Sequence, residues 1–217
     1  MEEEKSKDQL ILFGARPVME AIDAEKQIDR VYIKKGSDSP LVLRVMEMCR
    51  EYNVNFQEVP IEKLNRLTRG NHQGIVAQMS PIEYYDITNV LEDVAKSGET
   101  PLIVVMDSVT DVRNFGAIAR SAECAGAHAI IMSLKNSAPV NGEAIRSSAG
   151  ALTIIPVCRV GSIKLILKTL ADMGMQIVSA TEKAETVVYD ADLTKPTVLV
   201  MGSEDKGISK DILKMSD

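Results

Sequence analysis

The sequence predicts an α/β protein of two domains, a small N-terminal α/β domain and a larger C-terminal domain built on a parallel sheet. Apolar runs rich in β-branched residues alternate with segments of helical periodicity along the chain. The clearest apolar runs are residues 101–106 and 197–201, and each of them leads into a polar loop. With 217 residues the chain is long enough for two modest domains, each with its own core.

The composition excludes several classes of protein. The chain is 45% hydrophobic and 26% charged, which is typical of a globular protein, and no apolar run approaches the roughly 20 residues that span a bilayer. Met1–Lys5 has the wrong charge and no apolar core for a signal peptide, so we expect a cytoplasmic protein. Cys49, Cys124 and Cys158 are odd in number and far apart, which indicates neither a disulfide framework nor a zinc site.

The formal net charge of −6 gives nucleic-acid binding no support by itself. Up to Met79 the chain holds 12 basic and 13 acidic residues, and the remainder holds 13 basic and 18 acidic residues. Any contact with RNA therefore needs a local basic patch rather than the field of a whole domain.

Residues 1–79 form the predicted N-terminal domain. An apolar segment at 10–13 leads into Gly14 and a helix, with Pro17 suited to the first helical turn. Helices and strands then alternate as in a small α/β sandwich: helix 17–24, strand 31–33, helix 41–52, strand 54–59, helix 61–68 and strand 75–78. We interpret residues 80–100 as a linker, 80–86, followed by a short helix at 87–95. Tyr84 and Tyr85 in that linker are expected to serve packing.

Residues 101–217 form the predicted C-terminal domain. Its strands are expected at 101–106, 129–132, 153–157, 176–180 and 197–201. A helix follows the first strand, and further helices are expected at 140–150, 162–173 and 208–214. No G-x-G-x-x-G motif follows the first strand, which counts against an ordinary dinucleotide-binding domain.

The stretch 107–126 holds the first candidate site. A polar loop follows the strand 101–106, and a helix with apolar residues on one side begins near Asn114, a good helix cap. We expect Gly116 to leave the first turn open to a ligand and Arg120 to lie in an apolar neighbourhood. The alternative is an ordinary strand-to-helix turn with a surface arginine.

Two further stretches carry similar signals. The strand 197–201 runs into G-S-E-D-K-G at 202–207, where a side chain on the first glycine would block a ligand. Residues 143–151 give a helix that closes on small residues. Taken alone, the 202–207 stretch is also consistent with an ordinary glycine-punctuated turn. The carboxylate of Glu204 lies on a different loop from those near 107–111, and no histidine joins them, so no metal site is predicted.

Together, three motifs resemble those of the SpoU (TrmH-type) family of SPOUT RNA ribose 2′-O-methyltransferases: D-x3-D-x2-N-x-G-x3-R from Asp107, S-S-A-G-A from Ser147 and G-S-E-D-K-G from Gly202. F-G-x-R-P-V-x-E-A from Phe13 and H-Q-G-I-V-A from His72 look like the small, L30e-like substrate-binding domain of that family. The pairing is most similar to the RlmB-type enzymes, which methylate a guanosine ribose in 23S rRNA.

The resemblance implies S-adenosylmethionine as methyl donor, RNA as substrate, a trefoil knot in the C-terminal domain and a homodimer paired through the knotted domains. It assigns catalysis to Asn114 and Arg120. The residues that it places at the cofactor are Thr181, Gly202, Glu204 and Gly207. Family members continue past the position of Asp217 with a segment that closes the knot and forms about half of the methyl-donor pocket. We therefore expect these 217 residues to lack a tail.

In the N-terminal domain, Arg16, His72 and Gln73 are the residues expected to contact RNA. An arginine beside a glycine turn can hold a phosphate, and histidine and glutamine offer hydrogen bonds to a sugar or a base edge. The alternative for His72 is structural, because the ring can satisfy the turn between Asn71 and Gly74.

Two roles remain open for Arg120. Methyl transfer to a ribose hydroxyl requires donor and acceptor to be aligned and the hydroxyl proton to be removed or screened. A guanidinium stays protonated under ordinary conditions and is a poor base. Electrostatic stabilisation of the developing alkoxide and of an adjacent phosphate is the milder role. Asn114 is expected to orient Arg120 and the target phosphate.

Three functions are therefore compared. The first is ribose methylation of RNA, and the separate N-terminal module favours rRNA over tRNA. The second is a non-catalytic RNA-binding or ribosome-assembly protein on the same scaffold, against which the presence of both Asn114 and Arg120 counts. The third is another nucleotide-binding α/β enzyme, which the missing phosphate-loop glycines disfavour.

Overall fold

The computed structural model describes residues 11–184 and 186–217, so the first ten residues of the predicted domain 1–79 lie outside the described part. The chain divides into two compact units, Met1–Pro81 and Ile82–Asp217. Each unit is built on a sheet of its own.

The N-terminal unit is a four-stranded mixed sheet with helices on both faces. Its elements are β1 (Ile11–Phe13), α1 (Ala15–Asp23), β2 (Ile28–Lys34), α2 (Pro40–Glu51), β3 (Phe56–Val59), α3 (Ile61–Leu67) and β4 (Ile75–Met79). The strand order is β1-β4-β2-β3, with β3 parallel to β2 and β4 antiparallel to β1 and β2. Because side chains alternate along β2, Val31 and Ile33 pack with α1 and α2, whereas Tyr32 packs with Leu64 of α3.

The C-terminal unit is a five-stranded parallel sheet covered on both faces. Its elements are α4 (Ile87–Ser97), β5 (Leu102–Asp107), α5 (Val112–Cys124), β6 (Ala129–Ser133), α6 (Gly142–Ser147), β7 (Val157–Val160), α7 (Ile163–Asp172), β8 (Gln176–Ala180), β9 (Thr197–Gly202) and α8 (Lys210–Leu213). The strand order is β7-β6-β5-β9-β8, and every pair is parallel. The predicted fold class, an N-terminal α/β domain and a C-terminal parallel-sheet domain, is confirmed.

The central strand β5 shows why the sequence reads as a continuous apolar run. Ile103 and Val105 face α4, α7 and α8, whereas Val104 and Met106 face α5 and α6. Both faces of the strand are therefore buried, as is typical of parallel sheets. The run ends at Asp107, which opens the loop that leads to α5.

The structure corrects the strand predicted at 153–157. Residues Ala151–Thr153 form a 3-10 turn, and β7 begins only at Val157. The amide of Ile155 still donates to the carbonyl of Ala151 (2.9 Å), so helical hydrogen bonding holds this β-branched run out of the sheet. The helices predicted at 140–150 and 208–214 are also shorter in the structure, at Gly142–Ser147 and Lys210–Leu213.

Residues 82–86, interpreted from the sequence as linker, are built into the C-terminal unit. Tyr84 forms a parallel bridge with Val157, and the amide of Tyr85 donates to the carbonyl of Val157 at 2.9 Å. The Arg159 guanidinium lies 4.1 Å from the centroid of the Tyr84 ring. The segment thus adds a short pairing to the outer edge of β7.

Among the helices formed by the described residues, none has the length and apolar character needed to cross a membrane.

Candidate active site

A cleft lies at the edge of the C-terminal sheet where β5 and β9 end side by side. Asp107 and Gly202 are the last paired residues of these two strands, so the loops that follow them leave the sheet together. The cleft has a volume of about 390 Å3 and is lined by residues of both loops and of the first turns of α5: Val109, Thr110, Asp111, Asn114, Ile118, Gly202, Ser203, Glu204 and Asp205. Two motifs some 90 residues apart therefore form one site.

Asp107 ties the two loops together. Its side chain is buried, and its Oδ2 accepts a hydrogen bond from the amide of Ser209 at 2.7 Å. Its other oxygen accepts a hydrogen bond from the hydroxyl of Ser108 at 3.1 Å. Because both carboxylate oxygens are used within the protein, Asp107 organises the site rather than reaching into it.

The cap of α5 is Asp111, which corrects the prediction that Asn114 caps this helix. Asp111 Oδ1 accepts hydrogen bonds from the amides of Arg113 (2.9 Å) and Asn114 (2.8 Å). Asn114 lies inside the first turn, where its side chain is free to face the cleft. Its Nδ2 donates to Glu204 Oε2 at 2.8 Å. This bond joins the predicted catalytic residue of one loop to the predicted cofactor residue of the other.

Gly116 does not leave the first turn open to a ligand, as was expected. The residue is buried, and a Cβ at this position would overlap the hydroxyl oxygen of Ser147 and lie 2.9 Å from the amide nitrogen of Ser148. The glycine is required because α5 and α6 approach each other here. The motifs at 107–120 and 147–151 are therefore joined by helix packing.

The loop after β9 closes on itself in a tight turn. The amide of Gly207 donates to the carbonyl of Ser203 at 2.8 Å, and the reverse bond measures 3.2 Å. Gly207 has a φ of 64°, which is a left-handed conformation that favours glycine. A Cβ on Gly202 would overlap the backbone of Gly207 and Ile208. Gly202 lines the cleft with its backbone, and the direction in which a side chain would point is filled by the protein's own loop.

Arg120 is exposed, which corrects the prediction of an apolar neighbourhood. It follows the buried Ala119 on α5 and lies one turn beyond Gly116. Among the described residues it makes no hydrogen bond or ion pair, and it is not part of the cleft lining. Its side chain is therefore free to meet a molecule from outside the chain.

Thr181 follows β8, the neighbour of β9, and so lies at the same edge of the sheet. The residue is half-buried, and its hydroxyl oxygen accepts a hydrogen bond from the amide of Lys183 at 3.3 Å. Thr181 and Gly207 are not among the residues that line the cleft, whereas Gly202 and Glu204 are.

Histidine, cysteine and carboxylate side chains are dispersed in the part of the chain that the structure describes. Within residues 11–184 and 186–217, histidine, cysteine, aspartate and glutamate side chains form no group of three or more that could hold a metal ion. Cys49 and Cys158 are buried free thiols, and burial raises the pKa of each to about 12. Cys124, at the end of α5, is exposed.

The predicted RNA contacts Arg16, His72 and Gln73 lie at one edge of the N-terminal sheet. Gly14, with a φ of 90°, precedes α1, and a Cβ on it would lie 3.9 Å from Gln73 Oε1. Arg16 in the first turn of α1 and Gln73 are both exposed. His72 is buried, with both ring nitrogens engaged inside the protein. The structural alternative for His72 is therefore the better description of its ring.

Family models match both parts of the chain. The model of the SpoU rRNA Methylase family matches residues 101–217, and the model for RNA 2′-O ribose methyltransferase substrate binding matches residues 11–85.

Curated relatives match nearly the whole chain. An uncharacterized tRNA/rRNA methyltransferase of Mycolicibacterium gilvum is 33% identical over 215 residues, which is 98% of this chain and 68% of that protein. One of Synechocystis is 31% identical over 96% of this chain and 55% of its own length. The putative TrmH family tRNA/rRNA methyltransferase YacO of Bacillus subtilis is 26% identical over 95% of this chain and 83% of its own length. The chain thus spans between about half and two thirds of the length of the first two relatives.

Solved structures share the fold. The SpoU methyltransferase AviRb from Streptomyces viridochromogenes, in complex with AdoMet, has a TM-score of 0.55 at 23% identity, covering 95% of this chain and 78% of that one. An rRNA methyltransferase from Sinorhizobium meliloti has a TM-score of 0.53 at 24% identity, covering 98% of this chain and 79% of that one.

Proposed function

Because the chain belongs to the SpoU rRNA methylase family, we propose that it transfers a methyl group from S-adenosylmethionine to a ribose 2′-hydroxyl of RNA. The observation that carries the proposal is the cleft that the loops after β5 and β9 form together. Asn114 from one loop and Glu204 from the other meet there at 2.8 Å.

The cleft fits the proposed methyl donor. Its volume lies within the range of small-molecule sites, about 300–1,000 Å3, and Val109 and Ile118 give it an apolar side. The carboxylates of Glu204 and Asp205 line the opposite loop and attract a cationic ligand such as a sulfonium. When bound, S-adenosylmethionine supplies the electrophilic methyl group. Gly202 and Glu204 would contact it directly, and Gly207 would hold the loop in shape. Thr181 would bound the site on the side of β8.

Asn114 and Arg120 are proposed to act on the RNA. Asn114 is oriented by its hydrogen bond to Glu204, so its amide is held at the mouth of the cleft. Arg120 is exposed and unpaired within the described chain, and a guanidinium can hold a ribose phosphate with two parallel hydrogen bonds. It stabilises the developing alkoxide electrostatically, and water or the phosphate takes the proton.

The proposed substrate is rRNA, with a guanosine of 23S rRNA as the target, and the proposed setting is the cytoplasm. The N-terminal unit supports this choice because it matches a substrate-binding model and presents Arg16 and Gln73 at one edge. A homodimer paired through knotted C-terminal domains is part of the proposal. The knot itself stays a prediction. A tRNA target is the alternative.

The proposal is tested by incubating the full-length protein with methyl-labelled S-adenosylmethionine and either rRNA or tRNA, then digesting the RNA to nucleosides. We expect labelled 2′-O-methylguanosine from rRNA. Asn114→Ala should lose the product, whereas Asn89→Ala, an exposed asparagine on α4, serves as the matched control and should keep it. Label on a base, or on tRNA alone, would refute the substrate. No transfer to either RNA, with RNA binding intact, would favour the non-catalytic alternative.

A further inference from the structure

A second cleft lies in the N-terminal unit, at the edge where β2 and β3 end and β4 begins. The amide of Lys34 donates to the carbonyl of Gly74 (2.8 Å), which joins the end of β2 to the turn before β4. The cleft has a volume of about 330 Å3 and is lined by Lys34, Ser37, Ile61 and the turn 70–74. Arg16 lies at the same edge because β1, antiparallel to β4, also ends there.

The side chain of His72 holds the turn 70–74 in place through two hydrogen bonds. The amide of Gly74 donates to His72 Nδ1 at 3.0 Å, so Nε2 carries the hydrogen and donates to Asn65 Oδ1 of α3 at 2.9 Å. These two hydrogen bonds hold the turn in which Gln73 has a φ of 50°, a left-handed conformation that is uncommon for a residue with a side chain. Asn71 and Gln73 are both exposed on the turn that His72 anchors.

The segment 61–81, which contributes Ile61 and the turn 70–74 to the cleft, is more basic than the chain as a whole. Residues 61–81 contain Lys63, Arg66 and Arg69 against the single acidic residue Glu62, although the net charge of the chain is −6. The Lys34 ammonium is exposed at the cleft and, among the described residues, forms no hydrogen bond or ion pair. Lys34 is therefore a cation of the cleft lining that is free to meet a phosphate.

An exposed aromatic ring borders the same turn. Phe13 of β1 is 38% exposed, and a Cβ on Gly70 would overlap its ring, so glycine at 70 is what lets the ring lie against the turn. Rings exposed in this way serve as stacking surfaces for unpaired bases.

Resting on the function proposed above, we propose that this cleft binds one unstacked nucleotide of the RNA substrate. Lys34 holds a phosphate, and the amide groups of Asn71 and Gln73 pair with the base or sugar edge. His72 and Asn65 are positioning residues that shape the turn and do not touch the RNA. A duplex does not offer a splayed base to such a cleft, so the site selects single-stranded RNA.

The binding test uses the full chain and a short fluorescent RNA, single-stranded or annealed into a duplex, with affinity read by anisotropy at several salt concentrations. We expect Lys34→Gln and Asn71→Ala each to weaken single-strand binding by about tenfold, the scale of losing one hydrogen bond. Lys34→Gln should also reduce the slope of log affinity against log salt by about 0.7, and Asn71→Ala should leave that slope unchanged. Lys26→Gln, an exposed lysine ahead of β2 at the opposite edge, is the matched control and should leave affinity at the wild-type level.

The positioning role of His72 is tested by measuring the RNA affinity of His72→Ala and His72→Asn. Asparagine keeps an acceptor for the Gly74 amide in an Asx turn, so it should restore part of the affinity that alanine loses. Circular dichroism at the assay temperature shows that both variants are folded. Affinity that is unchanged in both variants would remove His72 from the site.

The whole inference is overturned if Lys34→Gln and Asn71→Ala bind like wild type, or if the duplex binds as well as the single strand. These outcomes are separate from failure of the proposed function. A wild-type chain that methylates rRNA while the cleft variants bind normally refutes only the cleft. A wild-type chain that binds single strands through the cleft but transfers no methyl group refutes only the enzyme.

Discussion

Gly202→Ala tests how the candidate active site is built by adding a single carbon atom. The new Cβ would overlap the backbone of Gly207 and Ile208, with the Gly207 carbonyl oxygen at 2.5 Å. Nonbonded heavy atoms prefer about 3.5–4.0 Å, so the loop 203–208 must withdraw by about 1 Å. The obstructing atoms are backbone, which means that no flexible side chain can move instead.

Two estimates of the loss of stability caused by Gly202→Ala agree in magnitude. Overpacking a filled site costs about 1–3 kcal/mol. Withdrawal of the loop also breaks the two backbone hydrogen bonds between Ser203 and Gly207, each worth about 0.5–1.5 kcal/mol. We therefore expect Gly202→Ala to lower the free energy of unfolding of the C-terminal unit by about 1–3 kcal/mol.

Urea unfolding followed by circular dichroism measures the loss, and hydrogen exchange locates it. The amides of Ser203 and Gly207 should lose protection in Gly202→Ala. Gly142→Ala is the matched control, because a Cβ there meets no atom within 4 Å, and it should stay within about 0.5 kcal/mol of wild type. Wild-type stability together with wild-type protection of the two amides in Gly202→Ala would refute the reasoning.

Three further predictions concern Arg120, the oligomeric state and the cysteines. Arg120→Ala should leave folding and cofactor affinity unchanged but lower single-turnover methylation at saturating RNA by at least about 100-fold, and Arg120→Lys should not restore it because a point charge cannot replace a planar fork. A near-normal rate would remove Arg120 from catalysis. Light scattering should give twice the chain mass of 23.7 kDa, and the single mass would reject the dimer. A thiol reagent at mildly alkaline pH should modify Cys124 rapidly, whereas burial raises the pKa of Cys49 and Cys158 to about 12, so both should react only after unfolding. Fast modification of more than one thiol in the native protein would contradict that assignment.

The sequence was sufficient for the parallel sheet but not for the pairing of its two functional loops. β5 and β9 are apolar on both faces and parallel strands end at the same edge, but only the observed strand order places the loops after Asp107 and Gly202 side by side. The exposure of Arg120 could also have been predicted from the sequence. Since Ala119 and Ala122 point into the core, a residue directly after Ala119 is turned away from it.

Other features of the site were beyond sequence reasoning because they depend on contacts between distant residues. Asp111 and Asn114 are both good capping residues, and only the geometry of the helix start decides between them. A glycine at 116 signals close approach but not what approaches, which is Ser147 on another helix. Asn65 belongs to none of the recognised motifs. Its hydrogen bond with His72 depends on α3 lying beside the turn 70–74 in the folded protein.

The bridge between Tyr84 and Val157 has a consequence for aggregation. An uncovered strand edge offers a row of unpaired amide and carbonyl groups to other chains. A fragment beginning at residue 101, where the family match starts, would bare the edge of β7 and remove Tyr84 and α4 from the core. A fragment beginning at Ile82 would keep that edge paired. The smallest C-terminal piece that keeps this strand edge covered therefore starts near Ile82, some twenty residues ahead of its first strand.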